Sequence, residues 1–150
     1  MLRNGSKSLK ISSVCLSMPL LMSLAATLMQ PSAAQAGGFL STCKDEQLVF
    51  ESGKVLLKAK CADNDIGFHR PSSLVISDRI ANYGGNLTWA RNGNFQASCS
   101  EIQIRVLFRE DKTITLGSRC GDGKGGHNMS YLNLDEKISN QNGVLAIDHF

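Results

Sequence analysis

The residues best equipped for chemistry sit in polar loops rich in Asn, Asp, Gly and Ser, at matching places in two halves of the chain. Short amide and carboxylate side chains donate or accept within a small reach, which suits a neutral ligand carrying many hydroxyls. Catalysis finds no such support. There is no G-x-S-x-G elbow for a nucleophile, and His69, His127 and His149 are spaced neither to each other nor to acids as a metal or general-base site would require. Paired acids of the kind glycoside hydrolysis uses do not recur either. The run Gly121-Asp122-Gly123-Lys124-Gly125-Gly126 looks like a phosphate loop, but Gly125 follows Lys124 where Ser or Thr is needed, and Ser118 stands five residues before Gly123. It reads as a flexible loop after Cys120. The expectation is a binding protein and not an enzyme.

Such loops need a rigid support, and the chain of 150 residues is long enough for one domain. Residues 1–36 carry Arg3, Lys7 and Lys10 without an acid, then an apolar run from Val14 to Met29, then Ala34-Gln35-Ala36. That order is the layout of a secretory signal with an A-x-A cleavage site. The apolar run is broken by Ser17, Pro19, Ser23 and Thr27 and falls short of the ~20 residues a membrane span needs. Taking away the three basic residues of this leader leaves 13 basic side chains against 13 acids. The expected mature chain, 37–150, is therefore uncharged overall, and the net charge of +3 gives no reason to expect nucleic acid or a membrane surface as partner. The expected location is outside the cell or in a periplasm.

Cys15 falls within the leader, so Cys43, Cys61, Cys99 and Cys120 remain, an even number in an exported chain, which reads as two disulfides. Three pairings are open. The mature chain also repeats itself, over about 38–91 and 93–150. Phe39-x-x-x-Cys43 lies over Phe95-x-x-x-Cys99, and Ile80-x-Asn82-x-x-Gly85-x-Leu87 over Ile138-x-Asn140-x-x-Gly143-x-Leu145. Two copies are too few for a solenoid, and each is too short to fold alone, so the halves should share one core.

Within each half the hydrophobic period is two. Val55, Leu57, Ala59 and Cys61 alternate with Lys54, Leu56, Lys58 and Lys60, while Ile102, Ile104, Val106 and Phe108 alternate with Gln103, Arg105 and Leu107. Ser52-Gly53 turns one hairpin and Glu110-Asp111-Lys112 the other. The cysteines of a half then stand at the ends of one hairpin unit that folding brings together, which favours Cys43–Cys61 and Cys99–Cys120. Short helical turns are expected at Ser77–Ile80 and Asp135–Ile138, and short strands at Leu87–Trp89 and Val144–Ile147. Asn86-Leu87-Thr88 and Asn128-Met129-Ser130 are glycosylation sequons, for which a structural role is the competing reading.

The duplication, the cysteine pairs, Phe39 and Phe95 four residues ahead of Cys43 and Cys99, and the twin Ile-x-Asn-x-x-Gly-x-Leu motifs together resemble the cyanovirin-N homology family. The resemblance covers nearly all of 37–150. It implies an all-β, pseudo-symmetric fold, each half a three-stranded sheet plus a hairpin, with strand exchange between halves. It also implies a lectin that binds mannose-rich, α1,2-linked oligosaccharides without metal or other cofactor, in two pockets at opposite ends. Carried over position by position, the first pocket would use Gly38, Ser41 and Thr42, then Asp63, Asn64 and Asp65, then Asn140, Gln141 and Asn142. The second would use Asn82, Tyr83 and Gly84, then Gly93, Asn94 and Ser98, then Asp122, Gly123 and Lys124.

Asn142 keeps an acceptor where the family's namesake has an Asp, whereas Ala81 and Gly84 replace carboxylates at the second pocket. The first pocket is therefore expected to be the stronger. The segment between Trp89 and Cys99 is one residue longer than in the namesake and lacks proline. With Arg91-Asn92-Gly93 flexible, a monomer is expected, with a domain-swapped dimer as the alternative state. The competing function is a non-lectin extracellular or envelope module on the same fold that binds a protein partner.

Overall fold

The computed structural model describes residues 37–108 and 112–149; the leader 1–36, with its signal-like layout, and the tip of the second hairpin lie outside the described residues. The described chain is built from strands: β1 (Cys43–Glu51), β2 (Lys54–Asp63), β3 (Phe68–Val75), β4 (Ile80–Tyr83), β5 (Asn86–Trp89), β6 (Cys99–Phe108), β7 (Lys112–Gly121), β8 (His127–Asn133), β9 (Ile138–Gln141) and β10 (Val144–Ile147). They form antiparallel sheets β1-β2-β3 and β6-β7-β8 and hairpins β4-β5 and β9-β10. Single 3₁₀ turns precede the first cysteine of each pair, at Phe39–Ser41 and Phe95–Ala97.

The period-two pattern explains β2. Val55, Leu57, Ala59 and Cys61 are all buried, while Lys54 and Lys60 are exposed. Burying each Val or Leu is worth about 1.5–3 kcal/mol over leaving it in water. Ser52 and Gly53 both take positive φ, 49° and 74°, as a two-residue hairpin requires when its twist must match the strands. Cys43 stands directly opposite Cys61, and Cys99 opposite Cys120, and both pairs are disulfide-bonded. Just past each first cysteine the register shifts, with Asp45 and Glu101 at φ 59° and 53°, so twin bulges bend β1 and β6. The second helical turn expected from the sequence, at Asp135–Ile138, is a hydrogen-bonded turn running into β9.

Each hairpin docks on the sheet of the other half. The Leu145 N–H in β10 donates to Ser72 Oγ in β3 at 2.8 Å, and the Leu87 N–H in β5 donates to Ser130 Oγ in β8 at 2.8 Å. The exchange closes one core in which Phe39, Leu57, Ile80, Phe95, Leu116, Ile138 and Leu145 all join. Glycines let the chain pass at the crossover: a Cβ on Gly93 would lie 2.1 Å from the Ile80 carbonyl oxygen, and one on Gly37 2.3 Å from that of Asp135.

Candidate functional site

At the first end, the turn between β9 and β10 meets the loop between β2 and β3. Asn140 Nδ2 donates to Thr42 Oγ1 at 3.0 Å and to the Ala62 carbonyl at 2.9 Å, while its Oδ1 accepts the Gly143 N–H at 2.7 Å. Asn142, at φ 51°, reaches across: its Oδ1 accepts the Asn64 N–H at 2.8 Å and its Nδ2 donates to Asp65 Oδ2 at 2.5 Å. Thr42, Asn64, Asp65, Asn140 and Asn142 thus come together from both halves. Gly38 and Ser41 form the rim, with Ser41 Oγ donating to the Gly38 carbonyl at 2.7 Å, and Gln141 stands exposed in the turn.

Asp63 has a different place in the same site. It is 3% exposed, and Arg70 Nη1 donates to its Oδ2 at 2.6 Å. Burial pushes its pKa up, but the Arg70 guanidinium and the N–H groups of Asp65 and Ile66 outweigh it and hold the carboxyl below its ordinary value. Asp63 is the charged floor under the loop, and it and Arg70 both pack against Gly143, whose added Cβ would sit 2.7 Å from Arg70 Cδ and 3.0 Å from Asp63 Cβ. Arg70 carried no signal in the sequence, because its partner in the other half is Asn128.

The second end repeats the frame and not the clasp. Asn82 Nδ2 donates to Ser98 Oγ at 2.9 Å and the Gly121 carbonyl at 2.8 Å, and its Oδ1 accepts the Gly85 N–H at 2.8 Å. Gly84, in the place of Asn142, has no side chain to cross to the loop. Asp122 instead closes the loop on itself: its Oδ1 accepts the N–H groups of Lys124 at 2.7 Å and Gly126 at 2.9 Å, and these bonds lower its pKa. Gly123, Lys124, Tyr83 and Asn94 are exposed beside this frame. Gly93 packs on the Ile80 backbone and donates to the Asp78 carbonyl at 2.9 Å, in a groove with Lys54, Arg79 and Arg91. Asn128 covers Gly85, and the Ser130 hydroxyl is spent on Leu87, so this sequon has structural work at both ends.

Concavities also occur outside the two clusters. One of about 620 Å³ on the outer face of β1-β2-β3 is lined by Asp45, Gln47, Lys58, Lys60 and Ser73, and its cations are already paired, Lys60 with Asp45 at 2.8 Å and Lys58 with Glu51 at 2.6 Å. Among the described residues no group of three His, Cys, Asp or Glu could hold a metal ion, and no helix is long and apolar enough to cross a membrane.

No curated protein matches the sequence significantly. Among solved structures, the chain is similar to the CVNH protein of Gibberella zeae at 25% identity, covering 74% of this chain and 97% of that one with TM-score 0.63. It is similar to microvirin, solved as a mannobiose complex, at 27% identity, covering 74% and 98% with TM-score 0.61. A CVNH variant solved with (N-GlcNAc)4 shares the fold at 20% identity, covering 75% and 97% with TM-score 0.61. The CVNH domain profile matches residues 39–146, from the first 3₁₀ turn to β10. With its twin sheets, exchanged hairpins and paired disulfides, the chain belongs to the cyanovirin-N homology (CVNH) family.

Proposed function

We propose that this protein is an exported, monomeric lectin that binds mannose-rich, α1,2-linked oligosaccharides without metal, chiefly at the first end. The observation that carries the reading is the Asn142 clasp on Asn64 and Asp65, which joins turn and loop into one polar surface. Hydrogen-bonding groups held in place by their neighbours lose little freedom when a hydroxyl-rich ligand arrives. Gly38, Ser41, Thr42, Gln141 and the free positions on Asn64 and Asp65 supply donors and acceptors around that clasp. The 27% identical microvirin, solved with mannobiose, supports the sugar class.

The second end, from Asn82 and Ser98 to Lys124, is proposed as the weaker site, because its loop is folded on Asp122 and no side chain crosses from the Gly84 turn. Export is proposed from the basic, apolar and Ala-x-Ala order of 1–36 and agrees with two disulfides. The test is calorimetric titration of the oxidised protein with α1,2-mannobiose. Saturable heat near one site per chain, lost in Asn142→Gly, is the expected result. No heat at millimolar sugar would reject the mannose reading and favour a protein partner on this fold.

A further inference from the structure

The first end carries an apolar lip that hydrogen bonding does not explain. Phe68 is 74% exposed and Ile66 54% exposed, Ile66 on the loop that Asn142 clasps and Phe68 two residues on, where β3 begins. Single exposed apolar residues are ordinary on protein surfaces. Two on the rim of one polar site form a feature.

The sheet register places the ring. Phe68 stands opposite Asp63, and Arg70 opposite Cys61, so Phe68, Arg70 and Ser72 share the face of β3 that receives the β9-β10 hairpin. Along that face Ser72 meets Leu145, and Arg70 lies under Gly143. The next residue on that face is Phe68, paired with Asp63 and roughly 7 Å along β3 from Arg70. At 74% exposure the ring is largely uncovered by the hairpin, and only Ile66 and Gly67 separate it along the chain from Asp65, which Asn142 clasps.

We propose that Phe68, with Ile66 beside it, is a stacking platform for a pyranose ring one unit beyond the disaccharide held at the Asn142 clasp. A pyranose has hydroxyl edges and an apolar C–H face. The edges suit Asn64, Asp65 and Gln141, and the C–H face suits the electron-rich face of an aromatic ring. The ligand class that uses both is a linear oligosaccharide of at least three units, not a disaccharide. At the second end Gly126 occupies the position of Phe68, and a Cβ there would sit 2.5 Å from Asp122 Oδ2, while the exposed aromatic of that end, Tyr83, stands on the hairpin instead. This inference rests on the lectin reading of the first end.

The test titrates α1,2-mannobiose and α1,2-mannotriose into the wild type, Phe68→Ala and Phe68→Tyr, with proton NMR of the sugars in parallel. Phe68→Ala is expected to leave mannobiose affinity within about twofold and to weaken mannotriose about three- to tenfold, with Phe68→Tyr restoring it. Ring-current shifts on the C–H protons of one terminal mannose of the triose should appear with the wild type and vanish with Phe68→Ala. Equal mannotriose affinity in wild type and Phe68→Ala, or equal loss for both sugars, would overturn the platform and leave the lectin reading standing. No binding of either sugar to the wild type would overturn both.

Discussion

Asn82 and Asn140 occupy the same place in the two halves, and each pins an exchanged hairpin with the same set of hydrogen bonds. Each amide nitrogen bridges a hydroxyl before the first cysteine, Ser98 or Thr42, and a carbonyl just after the second, Gly121 or Ala62, while its oxygen accepts the N–H of the turn glycine. These side chains position the two ends before any ligand arrives. Asn82→Ala and Asn140→Ala should each cost about 1–3 kcal/mol, because a carbonyl and a turn N–H lose their partner. Urea unfolding reads the cost. Asn140→Ala should also weaken sugar binding, while Asn82→Ala should leave the first end's affinity unchanged.

Asn142 allows backbone and side chain to be separated. It holds φ 51°, which glycine adopts freely, so Asn142→Gly should keep the fold within about 0.5 kcal/mol and remove only the clasp. Calorimetry should then show loss of sugar binding with an unchanged melting profile. Asn142→Asp would set a carboxylate against Asp65 Oδ2, now 2.5 Å from the Asn142 amide. Its sugar binding should be weaker than the wild type's, because two like charges would replace the amide–carboxylate bond.

Two glycines separate close approach from backbone conformation. Gly93→Ala drives a Cβ to 2.1 Å from the Ile80 carbonyl and should cost about 3 kcal/mol or more in thermal unfolding. Gly123→Ala meets no atom within 4 Å and only strains a φ of 78°, so about 1–2 kcal/mol is expected.

The Asp63–Arg70 pair sets an acid limit. Asp63 is held below its ordinary value of 3.8, so the unfolded chain binds the proton more readily than the folded one. Its contribution is complete above the unfolded value and disappears as pH falls through the lower folded value. Arg70→Met removes the guanidinium and leaves burial to raise the Asp63 pKa, so the acid-unfolding midpoint should move to higher pH. Circular dichroism between pH 5 and pH 2 checks the direction, and an unmoved midpoint would refute it.

The disulfides close loops of 18 and 21 residues within the halves. Replacing Cys43 and Cys61 together by Ala should cost about 3 kcal/mol on chain-entropy grounds. The same replacement of Cys99 and Cys120 should cost a similar amount. Comparison of urea midpoints checks both.

Much of the frame was legible before the fold was known. Alternation in Val55–Cys61 and Ile102–Val106 marks central strands because each has one face in the core. The repeat then brings corresponding cysteines to corresponding ends. Less legible was β3, where His69, Arg70, Pro71, Ser72 and Ser73 give no apolar rhythm. Its face is covered by a polar docking contact, Ser72 to Leu145, so no hydrophobic residue needs to mark it. The roles of Asp63 and Arg70 were hidden for a related reason: an ion pair with only its acid buried, at separation 7, looks the same in sequence as two surface charges.

The sequence by itself determined the all-β class, the duplication, the four cysteines with a favoured pairing among three, and the polar residues available for a site. Those properties follow from local periodicity and from spacing along the chain. Only the tertiary structure decided that each hairpin lies on the opposite half, that Asn142 closes the first end while Gly84 leaves the second without a clasp, and that Phe68 is left uncovered. Each of those depends on contacts between residues some 40 to 80 positions apart, such as Leu87 with Ser130 and Asn142 with Asp65, which form only when the two halves share one core.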